Sequence, residues 1–400
     1  MRVNLKLRRL HAVVAVHACG SASKAADMIH MSQPAVTDAI AACEADIGTP
    51  LFMRTSRGMT ATPAGEVFVT RIRLALSHLE QAEDCIRQKR GRAVAPLHRL
   101  VSEVQLRALS SVIEAGGYRQ AGKKLGISEP SVHRAVRELE ALCGALFRKT
   151  GAKVEPTAEA VAVARFGDLC FGELASGLDE IRELQGIVDG SLNVGALPLA
   201  RSKWLPDALA SVLDEHPYAK VHIMDGPYDE QLAALRHGRI DFILGALRDP
   251  TPTSDIQQEA VFTDPVVIVV RAGHPFAPGF DSEHDKLTPG QLATLAWVLP
   301  RQGTPARNQF EKFMTAKGLP PPDRVVECSS LVTARALILR SDYAALLSRQ
   351  QVEADLALNR LKVMGPPLTG SARAIGITTR KPFHPTRLQS AFLERLRRPD

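Results

Sequence analysis

Apolar residues recur at helical spacing through the first 190 or so positions, and afterwards gather into short blocks between amphipathic stretches. Val36, Ile40, Cys43 and Ile47 stand at i, i+4, i+7 and i+11, the stripe of a helix with one buried face. Val132, Val136, Leu139 and Cys143 repeat it. Phe68, Ile72, Ala75, Leu79, Ala82 and Ile86 alternate steps of 4 and 3, which predicts a helix of roughly 27 residues whose a/d seam suits another helix. A second long helix is expected over 157–186, with Phe166, Cys170, Leu174, Leu178 and Ile181 inward and Gly167, Gly172 and Gly177 weakening it. From Gly190 the blocks LNVGAL, KVHIMDG, IDFILGAL, PVVIVV, AWVLP, YAALLS and ARAIGITT alternate with helical patterns and predict a parallel α/β sheet.

The two striped helices belong to a longer repeat. SQPAVTDAIAACE (32–44) returns as SEPSVHRAVRELE (128–140), an offset of 96 residues at which Leu10, Ala12, Gly20 and Ala25 also face Leu106, Ala108, Gly116 and Ala121. After one deletion Leu51-Phe52 faces Leu146-Phe147, and after another TATPAG (60–65) faces VEPTAE (154–159). Such self-similarity marks a duplicated domain of about sixty residues. Each copy parses as three helices and a wing. Asn4 is expected to cap a helix over 5–18 ended by Gly20, and Ser102 with Gln105 forms a capping-box pattern before a helix ended by Gly116. Ser23 is expected to start the second helix, and His30 and Gly126 occupy a turn that suits positive φ. Ser32 caps the third helix, with Pro34 in its first turn. Two short helices around a tight turn, the second with a capped polar N-terminus, make a helix-turn-helix sized for the major groove. The plainer reading, a helical hairpin with a solvated face, leaves the duplication unexplained.

Charge changes the picture next. Residues 1–160 hold 23 basic against 15 acidic residues, 161–189 hold 2 against 6, and 190–400 hold 25 against 22, so the surplus behind the net charge of +7 sits in the repeat. A localised positive surplus suits phosphate, although a basic solvated surface would look the same. The six cysteines (19, 43, 85, 143, 170, 328) lack metal spacing and read as reduced thiols of a cytoplasmic protein, with no metal and no cofactor. MRVNLKLRRLHAVV is basic and then apolar, but His11 and His17 interrupt the run and no cleavage site follows, so a secretory signal is not expected. No apolar stretch is long enough for a membrane span.

GSASKAADMIHMSQPAVTDAIAACEADIGTPLFMRTSRGMTATPAG resembles the winged helix-turn-helix of LysR-type transcriptional regulators. The resemblance rests on S-Q-P-A-V, G-x-x-L-F-x-R-x-x-R-G and T-P-A-G, and one such domain per chain is usual, so two in tandem would be a departure. It implies that Gln33, Pro34 and Thr37 approach bases or phosphates and that Arg54 and Arg57 grip phosphate from the wing, and Ser32 is a DNA-binding candidate beside them. The corresponding candidates of the second copy are Ser128, Ser131, His133, Arg134, Arg137 and, in its wing, Arg148. Gln33 is a good partner for adenine, whereas Glu129 could accept only from cytosine and would repel phosphate, as would Asp38. Ala22 replaces an aromatic that the second copy keeps as Tyr118. Both copies are read as DNA-binding; a second copy serving only for packing or dimerisation is the alternative. The Phe68–Ile86 helix is the one that dimerises DNA-binding domains in the family, so a homodimer or homotetramer is expected.

RHGRIDFILGAL, VVIVVRAGHPFA, WVLPRQGTPARNQFEKF and VECSSLVTARALI resemble the family's effector domain, a periplasmic-binding-protein-like fold of two lobes. The expected fold class is therefore mixed. Two α-rich winged helix-turn-helix domains (1–65 and 97–160), each followed by a linker segment (66–96 and 161–189), precede a two-lobed α/β effector domain (190–400). Lobe one takes about 190–265 and 366–395, and lobe two about 266–365. In such folds ligands sit where strands end and helices begin. The candidates there are Leu197, Pro198, Leu199, Tyr228, Arg301, Thr304, Ser329 and Ser330, and helix N-termini with hydroxyls and an arginine favour a small carboxylate or sugar acid. Equally, those serines would serve as plain caps and Arg301 as a surface residue. No nucleophile–base pair or phosphate loop suggests an enzyme. The expected function is a sequence-specific, effector-switched transcriptional regulator on double-stranded DNA. The alternatives are an architectural DNA-binding protein with a vestigial effector domain, or a regulator in which only the first winged helix binds DNA.

Overall fold

The computed structural model describes residues 6–56, 58–90, 95–150, 153–187, 190–279 and 286–398. Three helices open the chain, α1 (Leu7–Cys19), α2 (Ala22–Ile29) and α3 (Gln33–Ile47), followed by a two-stranded ribbon of β1 (Phe52–Thr55) and β2 (Gly58–Ala61) and the long helix α4 (Pro63–Arg90). After a short helix, α5 (Leu97–Leu100), the same order returns as α6 (Glu103–Ala115), α7 (Tyr118–Leu125), α8 (Glu129–Cys143), β3 (Phe147–Thr150), β4 (Lys153–Pro156) and α9 (Ala158–Leu184).

Local chemistry explains most boundaries. Gly20, His30, Gly48, Gly116 and Gly126 all take positive φ at helix ends. Ser102 and Gln105 form both hydrogen bonds of a capping box. The expected cap Asn4 lies outside the described residues; α1 starts at Leu7 after Lys6, which makes no side-chain cap bond. Ser23 does not start α2. Gly20 turns the chain so tightly that Ser21 is already extended, and its hydroxyl accepts from Lys24 N at 3.5 Å. In each unit one glutamate fixes the start of the ribbon: Glu44 Oε1 accepts from Leu51 N at 2.8 Å, and Glu140 Oε1 from Leu146 N at 2.9 Å. Thr62 N donates to Leu51 O at 2.9 Å and Thr157 N to Leu146 O at 2.8 Å, so the two threonines are equivalent. The repeat therefore keeps an offset of 95 from Leu51 onward, TATPAG faces EPTAEA, and the second deletion expected from sequence is absent.

The seam on α4 has a different partner from the one expected. Phe68, Ile72, Ala75, Leu79, Ala82 and Ile86 are all buried within one chain, against α9, whose Val163, Gly167, Cys170, Leu174, Gly177 and Ile181 occupy the equivalent positions and are buried too. The seam is thus covered in cis and offers no apolar stripe to a second copy. Nor are the glycines of α9 weak points. A Cβ on Gly177 would lie 3.0 Å from Phe68 Cδ2 and from Arg71 Cβ, and one on Gly167 would lie 3.3 Å from Leu106 Cδ2, so their absence permits close packing. Each seam leucine, isoleucine or phenylalanine contributes about 1.5–3 kcal/mol by leaving water.

The rest of the chain forms two five-stranded sheets. The first holds β5 (Ser191–Ala196), β6 (Lys220–Met224), β7 (Phe242–Ala246) and β8 (Ile256–Asp264), with α10 (Trp204–Glu215) and α11 (Tyr228–Arg236) between them. The second holds β9 (Val266–Arg271), β10 (Ala296–Leu299), β11 (Val325–Glu327), β12 (Tyr343–Ser348) and β13 (Leu361–Val363), with α12 (Pro289–Thr294), α13 (Pro305–Ala316), α14 (Leu331–Ile338) and α15 (Arg349–Ala357). The chain returns to the first sheet through β14 (Arg373–Arg380) and ends in α16 (Arg387–Leu396). The strand orders are β6-β5-β7-β14-β8 and β11-β10-β12-β9-β13. The crossing strands β14, β8 and β9 pair antiparallel, so the sheets are mixed and not purely parallel as expected. Trp204, Phe242 and Phe392 fill one core, and Trp297, Phe310 and Val270 the other.

Candidate nucleic-acid interface and effector site

On α3 the Ser32 hydroxyl accepts from Ala35 N at 3.4 Å, which fixes the helix start, with Pro34 beside it where no donor is missed. Val36, Ile40 and Cys43 are buried, so Gln33, Pro34, Asp38 and Ala41 face solvent. Thr37 is half-buried and its hydroxyl donates to Gln33 O at 3.1 Å, leaving it an acceptor and a methyl group to offer. Arg54 is exposed on β1 opposite Met59. Arg57 lies outside the described residues.

The second unit presents a more charged face on the same frame. Ser128 Oγ accepts from Ser131 N at 3.3 Å and lies 2.8 Å from Ser131 Oγ. His133 stacks on Tyr118 with centroids 3.7 Å apart and planes 12° apart, and its Nε2 lies 3.9 Å from Glu129. Arg134 Nε donates to Glu138 Oε1 at 2.9 Å, and hydrogen bonds from Arg134 and Gln105 hold the Glu138 carboxyl below its ordinary range. With the Arg134 side chain 83% exposed, solvent screens that pair, and a phosphate can compete for the guanidinium. Arg137 is exposed beside it, and Arg148 is exposed on β3 opposite Glu155. Sequence reasoning passed over α7, where Arg119, Lys123 and Lys124 are also exposed; GYRQAGKK carries that signal, and the first unit has Ser23, Asp27 and Met28 in those places.

The effector candidates fall into two groups, one on each sheet. On the first, β5 and β6 are parallel with Gly195 beside Met224, so Leu197–Leu199 and Tyr228 leave the same edge. Leu197 itself belongs to the core: it is buried against Gly245 and its N–H donates to Leu244 O at 2.9 Å. Pro198 is exposed, and Leu199 is half-buried against the core. The Tyr228 hydroxyl is buried and meets no hydrogen-bond partner among the described residues, and burial raises its pKa. Buried Gln231 donates to Gly226 O at 3.1 Å while its Oε1 has no partner there either. The Arg248 guanidinium sits 4.4 Å over the Tyr228 ring. Arg248 and Gln231 were missed from sequence, although Arg248 directly follows RHGRIDFILGAL.

On the second sheet β10 and β11 run parallel with Leu299 beside Glu327, and Cys328 N donates to Leu299 O at 2.8 Å. Arg301 and Ser329 therefore leave adjacent strand ends, and both are exposed. Thr304 caps α13 by accepting from Arg307 N at 3.4 Å, and Ser330 caps α14 by accepting from Thr333 N at 3.3 Å. Two helix N-termini and a guanidinium on one rim suit an anion. Burial pushes the Cys43 and Cys170 thiols up to about 12, which keeps them protonated and unreactive. Among the described residues no His/Cys/Asp/Glu cluster could hold a metal, and no helix is long and apolar enough to cross a membrane.

Comparison with known proteins matches residues 7–66, and again 104–161, to the family described as bacterial regulatory helix-turn-helix protein, lysR family. Residues 185–399 match the LysR substrate binding domain. The HTH-type transcriptional regulator GalR of Pseudomonas putida is 33% identical over 375 residues, 94% of this chain and 92% of that protein. The HTH-type transcriptional regulator PcaQ of Agrobacterium fabrum is 26% identical over 304 residues, 74% of this chain but 94% of its own length. A quarter of this chain thus lies outside the PcaQ match, whereas GalR aligns along nearly all of both proteins. Full-length OxyR from Pseudomonas aeruginosa shares the fold at 20% identity, with a TM-score of 0.54 over 74% of this chain and 94% of that one.

Proposed function

From the premise that this chain belongs to the LysR family, and is a DNA-binding transcriptional regulator with a C-terminal effector-binding domain, we propose that it carries two tandem winged helix-turn-helix domains and that both bind DNA. The observation that supports this most is the shared frame: α8 repeats the serine cap, the proline and the buried stripe of α3, and so presents the equivalent face outward. The first face offers Gln33 and Thr37 for base contact with Arg54 on the backbone; the second offers His133, Arg134, Arg137 and Arg148, a set suited chiefly to phosphate. Footprinting tests this. Gln33→Ala is expected to weaken protection over one part of the operator, and Arg134→Ala with Arg137→Ala over another. A footprint unaltered by the double substitution would leave DNA binding to the first unit alone.

The effector is a small carboxylate or sugar acid held between the strand ends that carry Tyr228 and those that carry Arg301, Thr304, Ser329 and Ser330. The unpartnered buried oxygens of Tyr228 and Gln231 favour a ligand with hydroxyl groups, and Arg301 with the two helix N-termini favours its charge. Arg301→Ala is expected to abolish thermal stabilisation by such ligands while DNA affinity without ligand stays unchanged. Loss of DNA binding with ligand affinity retained would refute the assignment.

A further inference from the structure

We infer that a single chain supplies the paired recognition helices that other regulators obtain from two copies, and that its operator is therefore bipartite and non-palindromic. The inference rests on the reading that both units bind DNA, and adds how they are paired. The helices α4 and α9 are equivalent at an offset of 95, so Arg71 corresponds to Phe166 and His78 to Glu173. Arg71 Nη1 donates to Glu173 Oε2 at 2.7 Å, and Phe166 stacks against His78 with ring centroids 6.4 Å apart. Those two contacts are mates under a two-fold exchange of the helices. His78 Nε2 also lies 4.0 Å from its own counterpart, Glu173, as a residue near such an axis must. Further along, Phe68 and Arg71 meet Gly177 and Arg71 bonds to Glu180, so the helices run antiparallel. These are the marks of an isologous interface, here made within one chain.

Each three-helix unit is fastened to its long helix by the same bonds. Thr62 Oγ1 donates to Pro50 O at 2.8 Å and accepts from Gly65 N at 3.0 Å; Thr157 Oγ1 donates to Ala145 O at 3.4 Å and accepts from Ala160 N at 3.1 Å. The exchange that relates α4 to α9 therefore also relates α3 to α8, and one chain displays the two as a pair. In symmetric dimers the palindromy of the operator mirrors the identity of the two helices. Here Gln33, Thr37, Asp38 and Ala41 are opposed by Glu129, His133, Arg134 and Arg137, so the two half-sites have no reason to match.

Selection of duplexes from a random pool by the wild-type chain, followed by titration of the selected duplex far above its dissociation constant, tests the inference. Two unlike sequence blocks at fixed spacing are expected, with a break at one chain for every pair of blocks. An inverted repeat of a single block, with a break at two chains for every pair of blocks, would overturn it while leaving both units on DNA. A single block would overturn it together with the reading it rests on. As a second readout, a Cβ on Gly177 lies 3.0 Å from Arg71 Cβ, close enough for a disulfide after a small shift, so oxidation of Arg71→Cys with Gly177→Cys is expected to link the two positions within one chain. A covalent dimer joined through that pair, identified by peptide mapping, would mean that the helices pair between copies and would equally overturn it.

Discussion

Arg71 shows how much one side chain holds in place. It is buried between α4 and α9, donating from Nη1 to Glu173 and from Nε to Glu180, at 2.7 and 3.0 Å, and to the backbone oxygen of His384 at 3.0 Å. Arg71→Met strands two partly buried carboxylates and is expected to cost about 3–5 kcal/mol, read as a fall in the thermal transition. Adding Glu173→Gln and Glu180→Gln should recover most of the loss; no recovery would mean that packing, not charge, is at stake. Burial alone would raise Glu173, but His78 and Arg71 outweigh it and leave the carboxyl below its ordinary range. Burial likewise raises Asp255, and Arg236 and Arg165 bring it down to about 2. Groups lowered on folding contribute stability above their unfolded pKa and lose it as pH falls through the folded one. Asp255→Asn is thus expected to lose less stability than the wild type between about pH 5 and pH 2, and an equal loss would contradict the assignment. No spacing rule picks out Arg71: its partners lie more than a hundred residues away, and the sequence shows only another basic residue on a helix.

At the scale of elements, periodicity exposes a face but is silent about what covers it. The α4 seam was legible to the residue, and its partner was not, because a second copy and a duplicated helix satisfy the same pattern equally. The consequence is measurable. Leu79→Ala, which empties a fully buried position, is expected to cost about 2–5 kcal/mol. The transition should shift by the same amount at all protein concentrations, since the seam closes within the chain. A shift that shrinks as protein concentration rises would point to pairing between copies. Most strands of the two sheets were equally legible, since buried strands such as PVVIVV are apolar throughout. The strand β8, IQQEAVFTD, was not, because only its two ends are buried and the alternation between them is weak. β11 and β13 are three residues each, too short to show a period.

At the scale of the molecule, the first sheet meets the second three-helix unit and α9 through a cluster of polar contacts, apart from the bond of Arg71 to His384. His237 Nδ1 lies 2.9 Å from Asp168 of α9, Arg239 pairs with Glu114 of α6, and Asp255 joins Arg236 to Arg165. These contacts join the sheet that carries Tyr228 to α6 and α9, so His237→Ala with Arg239→Ala is expected to leave both binding reactions intact but to reduce the change in DNA affinity that effector causes, typically about 5–150-fold in coupled proteins. An undiminished response would place the route elsewhere. The general character of the chain, a DNA-binding N-terminal part followed by a two-lobed effector-binding domain, could be read from motifs because caps, turns and wings are local. The contact surfaces between those parts join residues distant in sequence and could not. The claim on which the rest depends, that both units engage DNA, is tested most directly by the salt dependence of binding. If Arg134 and Arg137 each neutralise a phosphate, the log–log slope of the Arg134→Ala and Arg137→Ala double variant should be shallower than that of the wild type by about 1.8. Identical slopes would contradict it.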